Sequence, residues 1–110
     1  MNKKEFEKLI QEYSNKGFEY GKPIKYLEFR NNATKQDFEK DLSDFEDLEI
    51  IEKQKRDGEV RHALYFIYSK NKGRVYVIKL AEKIRIITIY PLGRKTLNKF
   101  RKKGLYTEKP

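Results

Sequence analysis

The chain of 110 residues is 37% hydrophobic and 39% charged, carries a net charge of +9 at pH 7, and contains seven Phe, eight Tyr, one His and no Cys. Its length and the lack of any Pro/Gly/Ser-rich linker predict a single domain over residues 1–110, with one modest core packed largely by aromatics. The composition excludes a disulfide framework and a thiolate nucleophile, and one histidine without cysteine predicts neither metal nor cofactor.

Charge is uneven along the chain. Residues 1–54 hold 10 Lys and Arg against 13 Asp and Glu, whereas residues 55–110 hold 16 against 4. A basic half joined to a mildly acidic one points to an anionic partner, with RNA or DNA the first candidate. The opening Met1-Asn2-Lys3-Lys4-Glu5 has no apolar signal region and no stretch is long enough to cross a bilayer, which predicts a cytoplasmic protein without a membrane partner.

Asn2 can cap a first helix within residues 1–17, where Phe6, Leu9, Ile10 and Tyr13 fall at i, i+3, i+4 and i+7 and Gly17 can end it. That stripe suits docking on a sheet or on a protein partner. After a connector punctuated by Gly21 and Pro23, Ile24 to Arg30 alternates at period two and predicts a strand. Thr34-Lys35-Gln36-Asp37 opens a second helix like a capping box, and Phe38, Leu42 and Phe45 form its buried stripe. Its acids, among them Asp37, Asp41 and Asp44 on one face, predict a solvated surface that repels nucleic acid. Leu48 to Lys53 reads as a further strand and Arg56-Asp57-Gly58-Glu59 as a turn.

Residues 60–90 form the stretch that organises the rest. Runs from Arg61 to Tyr68, Arg74 to Leu80 and Lys83 to Tyr90 are rich in β-branched and aromatic residues, and the short turns between them predict an antiparallel meander. With Ala81-Glu82 as a two-residue turn, Tyr76 falls opposite Ile87. With Lys70 to Gly73 closing the other hairpin, Ile67 falls opposite Tyr76. This register gathers Leu64, Phe66, Tyr68, Val75, Val77, Ile84 and Ile86, continued by Thr88 and Tyr90, on a core face. It gathers Arg61, Tyr65, Arg74, Tyr76, Lys83 and Arg85 on the other. Cations ringing tyrosines suit a polyanion whose bases need stacking partners, and they equally suit the wet back of a one-sided sheet. His62, on the core side, reads as a packed structural residue beside the mouth of that basic strip.

Pro91 and Gly93 break the last strand, and Arg94 to Lys103 reads as a basic helix held by Leu97 and Phe100. Lys95, Lys99, Arg101 and Lys102 point outward with Arg94. The helix dipole accounts for one or two cations near the C-terminal end but does not demand six. The fold expected is α+β: a four- to five-stranded, mostly antiparallel sheet with two helices packed on one face, a short basic C-terminal helix and a loose tail at 105–110.

At the level of element order, Thr34-Lys35-Gln36-Asp37-Phe38, Leu48-Glu49-Ile50-Ile51-Glu52, Tyr65-Phe66-Ile67-Tyr68, Gly73-Arg74-Val75-Tyr76-Val77-Ile78 and Ile86-Ile87-Thr88-Ile89-Tyr90-Pro91 followed by Arg94 resemble the RelE/ParE-like toxin superfamily, in particular its DUF4258-type branch. The likeness covers about 75 residues within a body of 24–103. It departs from the branch where many members carry a His-Ala pair and an Arg, since Tyr26-Leu27 and Arg30 occupy that region. The resemblance implies a metal-independent endoribonuclease-type chemistry and an antitoxin-like protein partner. In it Arg85, Arg61, Tyr90 and Arg94 would serve catalysis, while Tyr65, Arg74, Tyr76 and Lys83 would hold RNA together with the basic helix.

Overall fold

The computed structural model describes residues 3–106. The Asn2 cap and residues 107–110 of the expected loose tail lie outside them. In chain order the elements are α1 (Lys3–Ser14), β1 (Phe18–Tyr20), α2 (Ile24–Asn31), α3 (Lys35–Asp44), β2 (Leu48–Arg56), β3 (Glu59–Ser69), β4 (Lys72–Leu80), β5 (Ile84–Leu92) and α4 (Arg94–Lys102). One five-stranded sheet has the order β1-β5-β4-β3-β2, antiparallel except where β1 runs parallel to β5. This is the α+β architecture expected, with two changes at its N-terminal end. Among the described residues, no helix is long and apolar enough to cross a membrane.

The first change is β1. Residues read as a connector form an edge strand, with Phe18 opposite Ile84 and Tyr20 opposite Ile86. The second is α2, which replaces the strand predicted over 24–30. Pro23 fixes the backbone ahead of the first turn and accepts from Leu27 N at 3.2 Å, and Asn32 ends the helix in the left-handed conformation at φ 49°. Only Leu27 and Asn31 of this helix are fully buried. Asn31 Nδ2 donates to Leu27 O at 2.8 Å and to Ile89 O at 3.1 Å, so a side-chain amide satisfies the β5 edge where β1 has already ended. The period-two pattern was therefore accidental.

The helix over Lys35–Asp44 forms as its sequence predicts. Thr34 Oγ1 accepts from Asp37 N at 3.2 Å while Asp37 Oδ2 accepts from Thr34 N at 2.8 Å, a reciprocal cap. The Thr34 N–H first, and second the Thr34 hydroxyl, which donates to the same Oδ2 at 3.0 Å, hold the Asp37 carboxyl below its usual range.

Two cores flank the sheet. Phe6 and Ile10 of α1, Leu27 of α2 and Phe38 and Leu42 of α3 pack on Leu64, Phe66, Tyr76, Ile78, Ile84, Ile86 and Ile89. On the opposite face Leu97 of α4 joins Ala63, Ile67, Val75, Leu92 and Tyr106. Tyr106 belongs to the segment expected to be loose, yet it is buried and its hydroxyl donates to Leu97 O at 3.1 Å. An aromatic two residues past the helix-ending Gly104 can fold back under α4, and the glycine's φ of 72° supplies the reversal.

The register differs from the expected one. Leu64, not Ile67, lies opposite Tyr76, and Ile89, not Ile87, lies opposite it on the other side. The first displacement is an odd number of residues, so it turns every side chain of β4 to the other face relative to β3. Irregularities absorb the difference, one between Ile67 and Ser69 and one between Val77 and Ile78. Gly73 explains the first. It is a strand residue where a Cβ would stand 2.8 Å from Phe66 O, so glycine is required there by close approach and not by a turn.

Candidate nucleic-acid interface

The altered register scatters the strip of cations and tyrosines predicted for one sheet face. Arg74 and Tyr76 join the α1–α3 side and are buried, whereas Tyr65 lies on the α4 side, where its ring meets Phe100 edge-on at 5.5 Å. Arg61 and Lys79 share Glu59, at 2.8 Å and 2.7 Å, and Arg85 is held by Glu19 at 2.6 Å. Lys83 is exposed in the turn before β5. Arg61 and Arg85 are thus engaged by acids, and the single open surface expected for Arg61, Tyr65, Arg74, Tyr76 and Arg85 does not form.

The basic helix keeps its predicted form. Gly93 O accepts from Leu97 N at 3.1 Å to start it, Leu97 is fully buried, and Leu105 N returns to Phe100 O at 3.0 Å behind Gly104. With its inner side pinned at both ends, α4 presents Lys95, Lys99, Lys102 and Lys103 to solvent. Positions i, i+4, i+7 and i+8 form one row, with Asn98 among them. None of these four lysines pairs with an acid among the described residues, and the sequence from 83 to 107 holds eight cations and no acid. Arg94, exposed at the first position, extends the row toward β5; Arg101 is half-buried and engaged elsewhere in the protein. Tyr90 is half-buried against the cluster containing Leu97, and Arg30 lies over its ring with Cζ 5.8 Å from the centroid.

No protein-family model, curated protein or solved structure matches this chain. What it does must be argued from its own groups.

A second polar constellation, absent from the sequence reading, lies on the α1–α3 side. Asp41 Oδ2 accepts from Tyr76 Oη at 2.6 Å, from Arg74 Nη1 at 3.2 Å and from Tyr68 Oη. Arg74 Nη1 also reaches Tyr76 Oη at 3.2 Å, and its guanidinium lies 5.3 Å from the ring centroids of both Phe38 and Tyr68. Asp41 is 9% and Arg74 8% exposed, at the floor of an open cleft of about 320 Å³ rimmed by Asn32, Lys40 and Lys72. Burial raises the Asp41 carboxyl above its usual value, against the pull of the tyrosine hydrogen bonds and the Arg74 charge. Burial and the adjoining carboxylate also push both tyrosines well above the ordinary phenol value, so neither ionises at physiological pH. Its hydrogen bonds tie α3 to β3 and β4, and they explain an acid in the predicted solvated face. The signal was present as Asp41 one residue before buried Leu42, but only the correct β4 register brings Arg74 and Tyr76 to it.

His62 is a structural residue. Phe6 lies across it at 4.9 Å between ring centroids, and Lys53 is its neighbour on β2. Burial first, and the Lys53 charge second, hold it below the ordinary histidine value of 6.5. The unfolded chain therefore takes up this proton before the folded one does as pH falls. Stability is full above 6.5, declines as pH drops below it and stops declining beneath the folded value. Thermal melts between about pH 7 and pH 5 should show this loss, and His62→Gln should abolish that component. A loss unchanged in the variant would assign it to another group.

Proposed function

We propose that the protein binds nucleic acid, RNA foremost, by gripping successive phosphates with the outer row of α4. One observation carries this reading: four lysines stand exposed in a row on a helix docked through buried Leu97, and none of them pairs with an acid among the described residues. Uncompensated like charges repel one another, and a polyanion both relieves that repulsion and releases its own counterions. The reading needs no base contact, so sequence preference is expected to be weak.

A finer, RelE-like reading adds ribonuclease chemistry. It is favoured by Tyr90 and Arg94 at the C-terminal corner that the resemblance assigns to catalysis, while the strand which that likeness expects over 24–30 is the helix α2. On that reading an antitoxin-like partner would compete for the same row of lysines.

Titrating a labelled RNA oligonucleotide at several salt concentrations tests both. Four phosphate contacts on a single strand predict a log–log slope of about −3, and hence roughly 50-fold weaker binding at 200 mM than at 50 mM salt. Salt-insensitive binding, or none at low salt, would refute the phosphate grip. The same RNA incubated with protein in EDTA should yield cut products only if the ribonuclease reading holds, and Arg94→Ala should then remove them.

A further inference from the structure

We infer that the outer face of α2 is a platform on which bases stack, so that the nucleic acid held by this protein is single-stranded. This rests on the phosphate-gripping role of α4 and adds what lies next to it. Phe29 is 89% exposed and Tyr26 is 46% exposed, although the same helix buries Leu27 completely. An aromatic ring left in water on a well-docked helix forgoes the stabilisation that burial would bring.

The surroundings choose the ligand. Lys22 Nζ lies 5.8 Å from the Tyr26 ring centroid, and Arg30 Nη1 donates to Tyr26 Oη at 3.3 Å while its guanidinium lies over Tyr90. Tyr90 in turn packs against the cluster that contains Leu97 of α4. Rings and cations thus alternate from Tyr90, beside the α4 cluster, through Arg30 to Tyr26, with Phe29 three residues on along the same helix. Glu28, the acid of α2, is spent elsewhere: its Oε2 accepts from Lys35 N at 2.8 Å at the start of α3.

Rings standing singly among cations suit unpaired bases joined by phosphates, because every base has a face to stack and every linkage a charge to meet. A shallow recess beside Phe29 offers Asn32 and Thr34 to the edge of a stacked base; its two acids, Glu28 and Asp37, already accept from Lys35 N and Thr34 N. A protein segment would instead call for a continuous apolar groove. In a duplex the bases are already stacked on one another, so the platform has nothing to offer it.

The test uses a fluorescein-labelled 12-nucleotide RNA, single-stranded and as a duplex, at about 50 mM salt. Phe29 is solvent-exposed, so its replacement leaves the fold intact. Phe29→Ala should weaken single-strand binding about 10-fold and leave duplex binding unchanged, as loss of one stacked base predicts. Since the chain has no tryptophan, Phe29→Trp supplies a single emission signal that single strands should quench and duplexes should not. If Phe29→Ala weakens both equally or neither, the platform is overturned while the salt-dependent grip of α4 stands. If the unaltered protein binds neither RNA, both the platform and the phosphate reading are overturned.

Discussion

Asp41→Ala should destabilise the protein by about 3–5 kcal/mol, because it strands the Arg74 guanidinium, buried between two aromatic rings, without the carboxylate that neutralises it. Two phenol hydroxyls lose their acceptor at the same stroke. Urea unfolding monitored by far-UV circular dichroism gives the number. The double variant Asp41→Ala, Arg74→Met should recover part of the loss, since removing the second charge removes the need for a partner. A loss below about 1 kcal/mol in Asp41→Ala would mean that water entering the cleft solvates Arg74, and that the constellation contributes little to the fold.

The other large effect concerns α4. Lys95→Ala, Lys99→Ala and Lys102→Ala together should lower RNA affinity on the order of 100-fold at about 0.1 M salt, since each phosphate contact contributes roughly 5-fold there through counterion release. The salt slope should flatten by about 2 in the same variant. These side chains are exposed and alanine favours helix, so the melting temperature should hold or rise slightly. The control is Arg61→Ala with Lys79→Ala on the sheet, where both side chains are held by Glu59 and one of the two charges is neutralised; that pair should change affinity little. Equal losses from the two variants would place the binding surface on the sheet instead.

Elements whose signals are local were legible in the sequence. The stripe of Phe6 and Ile10, the reciprocal cap of Thr34 and Asp37, the Asp57-Gly58 reversal and the glycine-ended α4 all follow from residues within a few positions of one another. What depended on distant partners was not. Ile24 to Arg30 alternates well enough for a strand, but the β5 edge beside it is met by the Asn31 amide, 58 residues away in sequence. The meander was recognisable and its register was not, because Gly73 marks a close approach of backbones where it was read as a turn.

That single displacement decided which cations remain open. It moved Arg74 and Tyr76 from the supposed binding surface into the core, and did not touch the basic row of α4, whose placement needs no register.

The parallel pairing of Phe18–Tyr20 with Ile84–Ile86 also has a temporal side. As the polypeptide leaves the ribosome, the first strand has no neighbour until about three-quarters of the chain has been made, and α2 has no edge to bind until Ile89 follows. The segments from β2 to β4 can zip up through near neighbours in the meantime, and the N-terminal third then closes over them in a late, slow step set by the separation of its partners. A nascent chain stalled before β5 would expose Phe6, Ile10 and Leu27 together, which makes that interval the period of greatest need for a chaperone.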